Sequence, residues 1–371
     1  MRVSDIIKHL ENWAPIGIAW EKDNVGLQIG NPASKVENVL LCLEVNSGVV
    51  DDAIKKRCNL IISHHPLIFS PLKALIYKEP KTEIIQKLLK NDINLYSAHT
   101  NLDFTKDGVS FQLAKQLKLI NIKFLKNLSA NQYKLVVFVP EKHIETVAQA
   151  MHKAGAGIIG EYSDCSFRLK GIGTFKGSDF SNPFLGIKQN LEFVEEIRLE
   201  MVVNSFNLAE VLKAMRENHP YEEVAYDVYK LDNDNPNYGI GAIGELKEEM
   251  NEKDFLNFIS KSIKTKNFRY CSGKKNKIKK VAVCGGSGSD LLDFAIKQNA
   301  DAFLTADVKY HTFHDAQNKI LLIDAGHYQT EIFILKEIER RLNDLFREKE
   351  IKVFNFSGST NPIKFYKNSG D

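Results

Sequence analysis

The sequence predicts an α/β fold in which two related α/β halves with mainly parallel strands are interrupted by an inserted, ferredoxin-like α+β domain. Three observations carry this. Short apolar runs alternate with helical patterns near both ends of the chain, as parallel strands covered on both faces require. The helix-to-strand spacing from Asp52-Ala53-Ile54-Lys55 to Leu60-Ile61-Ile62-Ser63 recurs from Phe294-Ala295-Ile296-Lys297 to Ala302-Phe303-Leu304-Thr305, which marks a degenerate duplication. Between the halves the plan changes to strand, helix, strand, twice over. The boundaries read as 1–124, 125–245 and 246–371.

In chain order, residues from Ser4 onward open an amphipathic helix with Ser4 as its cap. Strand 39–43, helix 49–57, strand 60–62, helix 81–90 and strand 93–96 follow. In the insert, strand 133–140, helix 142–154, strand 196–203, helix 207–217 and strand 225–229 repeat one plan. The glycines in Gly155-Ala156-Gly157-Ile158-Ile159-Gly160 and Gly171-Ile172-Gly173 read as hairpin and turn chemistry, not as a phosphate loop. The basic run 274–280 reads as a solvated linker. The second half then gives strand 281–284, helix 289–298, strand 302–304, helix 309–316, strand 320–323 and one long helix from about 329 to 347.

A chain of 371 residues exceeds one ordinary core. Its 50 Lys and Arg against 47 Asp and Glu leave +3, scattered along the sequence, so charge gives no support to a nucleic-acid partner. No apolar stretch approaches the roughly 20 residues of a membrane span, and the N-terminus reads as helix rather than signal peptide. The five cysteines are odd in number and never spaced Cys-x-x-Cys, which argues against a disulfide framework or a thiolate zinc site. The expected compartment is the cytoplasm.

The chemistry concentrates at strand ends. Ser97-Ala98-His99-Thr100-Asn101-Leu102-Asp103 and Asp324-Ala325-Gly326-His327-Tyr328-Gln329-Thr330-Glu331 each combine a small-residue turn, a histidine and an acid four residues later. If a helix starts near 327, His327 and Glu331 lie on one face about a turn apart. His64 and His65 end a buried strand before Pro66, where the backbone can turn and bring adjacent imidazoles to one site. All three segments fall at carboxyl ends of strands, where ligands gather in open parallel sheets. Imidazoles and carboxylates without thiolates suit a pair of divalent ions such as Zn, Fe, Mn or Co, and metal-assisted hydrolysis is the matching reaction class. Gly285-Gly286-Ser287-Gly288 could offer amides to an anion or form a tight strand-to-helix turn. Asp307 and His311 are candidates for supporting a ligand or for packing, and His219-Pro220-Tyr221-Glu222-Glu223 for ligand contact or a structural loop.

As a set, Trp20-Glu21-Lys22-Asp23-Asn24-Val25-Gly26-Leu27-Gln28-Ile29-Gly30, Ser63-His64-His65-Pro66, Ala98 to Asp103, Cys284 to Gly288, Thr305 to His311 and Gly326 to Glu331 resemble the dinuclear metal-centre proteins named GTP cyclohydrolase 1 type 2 homologues. The insert resembles the PII- and CutA-like domain of longer bacterial members. The resemblance implies that two divalent ions are held by His64, His65, Asp103, His327 and Glu331, with His99 beside them as a candidate proton shuttle. It also implies a ring-shaped homohexamer. Ala306 departs from the glycine many relatives carry there. Two functional readings follow: a metal-dependent hydrolase acting on a nucleotide or other small molecule, or a metal-binding regulatory or chaperone-like protein whose insert senses a small effector without catalysis.

Overall fold

In the computed structural model, which describes residues 1–76 and 79–366, the chain divides into two compact units, residues 1–126 with 238–371 and residues 127–237. The first unit opens with α1 (Val3–Trp13) and β1 (Gly26–Ile29), then β2 (Asn38–Cys42), α2 (Ser47–Lys55), β3 (Leu60–Ser63), α3 (Pro80–Lys90) and β4 (Asn94–Ser97). Helix α1 starts one residue before the expected cap: Arg2 is its boundary residue, and the Asp5 carboxylate accepts the Arg2 backbone N–H at 2.8 Å, so Ser4 does not cap. Two short helices follow, α4 (Thr100–Asp103) and α5 (Val109–Gln116), and then β5 (Ile120–Ser129).

The first sheet runs β1-β4-β3-β2, with β2, β3 and β4 mutually parallel and β1 antiparallel to β4. Alternate residues face opposite layers. Leu40, Ile61 and Leu95 pack against Val49, Val50 and Ala53 of α2 and Leu88 of α3, whereas Val39, Leu41, Leu60, Ile62 and Tyr96 pack with Ile6 and Leu10 of α1. Both faces are buried, which is why these strands read as unbroken apolar runs.

The second unit comprises β6 (Gln132–Pro140), α6 (Ile144–Lys153), β7 (Phe167–Lys176), β8 (Leu191–Asn204), α7 (Leu208–Asn218) and β9 (Tyr226–Leu231). Its antiparallel sheet is ordered β7-β8-β6-β9. Leu135, Val137, Val139, Leu199, Met201 and Val203 bury one face against Val147 and Met151 of α6 and Val211 and Met215 of α7. Gly171 and Gly173 lie inside β7, paired with Glu196 and Val194, rather than in a turn. A Cβ at Gly173 would sit 2.2 Å from the Glu196 carboxylate.

The remaining elements are β10 (Asp234–Asn251), α8 (Glu252–Ser262), β11 (Arg269–Cys271), β12 (Lys277–Ser287), α9 (Leu292–Lys297), β13 (Ala302–Ala306), α10 (Tyr310–Ala316), β14 (Leu321–Asp324), α11 (His327–Glu331), α12 (Ile334–Leu345) and β15 (Lys352–Asn355). The order β11-β14-β13-β12-β10-β5 forms a second sheet with a parallel β12-β13-β14 centre, and β15 returns to pair parallel with β2 on the first sheet. The basic run is not wholly linker. Lys277 begins β12, Ile278 is buried, and the Asp301 carboxylate accepts the backbone N–H groups of Lys279 and Lys280 at 3.0 and 2.9 Å. The expected long helix is two helices: α11 closes with Ile332 N–H on Tyr328 O, and Phe333 and Ile334 then enter different apolar clusters. Among the described residues, no helix is long and apolar enough to cross a membrane.

Candidate metal centre

The ends of β3, β4, β13 and β14 supply the functional side chains. His64 and His65 continue past β3, their backbone N–H groups bonded to Cys42 O and Leu43 O at 3.1 and 2.9 Å. The turn lets both rings serve one site, with centroids 4.7 Å apart. His99 is the N-terminal boundary residue of α4 and Asp103 its last residue, one turn on. His327 and Glu331 are the first and last residues of α11, so their spacing is helical as the sequence predicts.

Each histidine is held from behind. His64 Nδ1 lies 2.8 Å from Ala98 O, His65 Nδ1 3.0 Å from Glu44 Oε1, His99 Nδ1 3.0 Å from Asp23 Oδ1, and His327 Nδ1 2.6 Å from Asp307 Oδ2. All four partners are acceptors, so each Nδ1 is the donor and each Nε2 faces the cluster, the nitrogen a metal would take once it is free of a proton. Glu331 is the shared element: its Oε1 is 3.0 Å from His327 Nε2 and 3.8 Å from His64 Nε2, and its Oε2 is 3.2 Å from His65 Nε2. The Nε2 atoms of His65 and His327 lie 3.4 Å apart. Two groups, His64 with His65 and His99, and His65 with His327 and Glu331, each place ligand atoms within 4.8 Å of one another. Asp103 stands 3.7 Å from His64 Nε2.

Whether these residues fit a metal is tested by their polar accounting. His64 Nε2, Asp103 Oδ1 and Glu331 Oε2 are buried with no hydrogen-bond partner. Such orphans are rare and call for an explanation; of the four among the described residues only Asn355 Oδ1, on β15, lies outside the cluster, and a cation would satisfy the other three together. Burial alone would push Glu331 upward, but the imidazoles of His327, His64 and His65 around its carboxylate outweigh it and hold it well below the usual carboxylate range. Burial and the neighbouring Glu331 charge raise Asp103, against the opposing pull of His64. Burial would lower His65 and His327, but Glu331 with Glu44 raises the former to about 10, and Glu331 with Asp307 raises the latter to about 9. Asp23 is held at about 2, because bonds from His99 and Thr100 overcome its burial.

The glycines at the end of β12 serve this cluster rather than an anion. Gly285 N–H donates to Ser110 Oγ and Gly286 N–H to Thr330 Oγ1, so neither amide is free. Gly286 has φ +64°, and a Cβ there would lie 2.2 Å from Glu331 Oε1 and 3.2 Å from His327 Nε2. Only glycine lets the backbone pass beneath the carboxylate.

The structure therefore brings His64, His65, His99, Asp103, His327 and Glu331 together. Asp307 orients His327, whereas His311 and His314 lie exposed on α10. His219 ties its loop to β6, with Nε2 3.0 Å from Phe138 O and Nδ1 accepting Tyr221 N–H. Sequence reasoning assigned no role to Glu44 or Asp23. The available signal was an acid just beyond the carboxyl end of a parallel strand for Glu44, and for Asp23 an acid inside a loop noticed only as part of a motif.

A family model described as Duf34/NIF3 (NGG1p interacting factor 3) matches residues 1–362. The chain is 39% identical over 364 residues to a "GTP cyclohydrolase 1 type 2 homolog" of Halalkalibacterium halodurans, covering 97% of this chain and 98% of that one. It is 40% identical over 365 residues to a protein of the same name from Bacillus subtilis, covering 97% of each. A crystal structure of a Bacillus cereus protein related to NIF3 superposes with a TM-score of 0.83 at 39% identity, covering 99% of both chains.

Proposed function

This chain belongs to the Duf34/NIF3 family, and from that premise we propose that it is a metal-dependent hydrolase of a nucleotide or another small molecule, working with two divalent ions held by His64, His65, Asp103, His327 and Glu331. The observation that carries this is the convergence of three unpartnered buried atoms, His64 Nε2, Asp103 Oδ1 and Glu331 Oε2, in one imidazole and carboxylate cluster. Bound ions such as Zn, Fe, Mn or Co would supply Lewis acidity and a water of lowered pKa. The residues behind the cluster, Glu44, Asp307 and the Ala98 carbonyl, fix which imidazole nitrogen faces inward. His99, beside His64 and His65 with Asp23 behind it, accepts or returns a proton through Nε2. Guanine-ring hydrolysis is one candidate reaction, supported by the names of the relatives.

The rest of the reading is a homohexamer of cytoplasmic chains with a small-molecule substrate or effector, supported by family membership. The order β7-β8-β6-β9 with both helices against one face supports reading the insert as a ferredoxin-like, PII/CutA-like domain. That unit's own core favours a second reading, a regulatory metal protein whose insert binds an effector. Elemental analysis of the native chain with His65→Ala and Glu331→Ala variants tests the centre, with about two equivalents expected in the native chain and a loss in each variant. A native chain without metal sinks it. Turnover of nucleotides, phosphoesters or cyclic amides by the loaded chain separates the readings, and its absence in a broad screen favours the regulatory one.

A further inference from the structure

We propose that Thr360, in the segment after β15, is a positioning residue for the metal centre, acting through Glu44 on His65. The inference rests on the reading that His65 is a metal ligand. Strand β15 runs parallel to β2, pairing Asn355 with Leu41, and Phe356 N–H extends the pairing to Leu41 O at 2.9 Å. The two chains therefore leave the sheet side by side, β2 toward Glu44 and β15 toward Thr360. Thr360 Oγ1 donates to Glu44 Oε2, while Glu44 Oε1 accepts from His65 Nδ1 at 3.0 Å. Both carboxylate oxygens are thus occupied by different partners, one of them an imidazole whose Nε2 faces Glu331 and His327.

The segment is built to hold this contact. Thr360 and Asn361 are partly buried between exposed neighbours, Ser359 Oγ accepts Asn361 N–H at 3.2 Å, and Asn361 Oδ1 accepts Ile363 N–H at 3.0 Å. Glu44 is 35% exposed, so with Thr360 absent its carboxylate could turn to water and leave His65 unaligned. Partners that orient a metal-ligating histidine typically contribute 10- to 100-fold in metal affinity, and Thr360, one bond further out, belongs at the lower end, about 10-fold.

The test uses the full chain, chelator competition for Zn²⁺ affinity and the visible spectrum of the Co²⁺-loaded protein. Thr360→Val is expected to weaken Zn²⁺ binding about 10-fold and alter the Co²⁺ bands, and Thr360→Ser to restore both. An unchanged melting temperature of Thr360→Val in excess chelator would assign the loss to the centre rather than to folding. Native affinity and spectrum in Thr360→Val, beside weakened binding in His65→Ala, would overturn the role of Thr360 alone. Unchanged binding in His65→Ala would overturn the ligand reading and this inference with it. Failure of Thr360→Ser to restore either signal would mean that the hydroxyl is not the active feature.

Discussion

The two halves of the first unit build the same scaffold and use it differently. In one, β2, β3 and β4 are parallel and lead to α4; in the other, β12, β13 and β14 are parallel and lead to α11. Past β3 stand His64 and His65, both in the cluster; at the matching end of β13 stand Ala306 and Asp307, and Asp307 faces the back of His327. The helices differ in the complementary sense. Helix α11 presents both His327 and Glu331 inward, while at α4 Asp103 carries an unpartnered oxygen beside His64 and His99 is held by Asp23. A repeated frame thus offers the same four strand-end positions, and whether each enters the cluster or stands behind it depends on the few side chains placed there.

The largest expected effect tests whether Glu331 joins the two arms. It lies within 3.8 Å of His64, His65 and His327, whereas Asp103 approaches only His64 that closely among the histidines. Glu331→Gln should reduce bound metal from about two equivalents to about none, and Asp103→Asn to about one, read by elemental analysis after dialysis. Equal losses would mean that the arms are independent. Next in size is Gly286→Ala. Its Cβ would stand 2.2 Å from Glu331 Oε1 on a backbone at φ +64°, so the variant should lose metal and about 2 kcal/mol of stability by denaturant titration. A stable, fully loaded variant would show that the glycine run does not constrain the second arm.

The strand ends were legible in sequence because continuous apolar runs locate buried parallel strands, and parallel strands put their carboxyl ends together. His64, His65, His327 and Glu331 could be placed on that basis. The supports could not. Glu44 and His65 are 21 residues apart, Asp23 and His99 are 76 apart, and no periodicity links such pairs. Strand β15 was invisible for a related reason. Its four residues are partly exposed at a sheet edge, and their partner Asn38–Cys42 lies over 300 residues earlier. The lysines opening β12 looked like linker because charge dominates the count, although Ile278 points inward between them.

A smaller effect should come from the supports themselves. Asp307→Asn and Glu44→Gln keep shape but weaken the acceptor behind His327 and His65, and each should lower Zn²⁺ affinity by about 10-fold. If only Glu44→Gln does so, Asp307 is not the counterpart in support that the comparison makes it.

The smallest and most graded effect is on pH. The folded protein raises His65 to about 10 and His327 to about 9 from an ordinary 6.5, so near neutrality both bind a proton that a cation must displace. Metal affinity should therefore rise with pH from 7 to about 9, and calorimetry in buffers of different ionisation enthalpy should record proton release on loading. The sign reverses for the chelated chain. A raised folded-state pKa stabilises fully below the unfolded value and loses that contribution as pH climbs through the folded one. The chelator-treated protein should accordingly melt lower at pH 10 than at pH 6.5, while the loaded protein, whose imidazoles hold no exchangeable proton at Nε2, should not follow that decline. Parallel declines in both forms would place the protonated histidines outside the metal site and dissolve the contrast between His327 as ligand and Asp307 as its support.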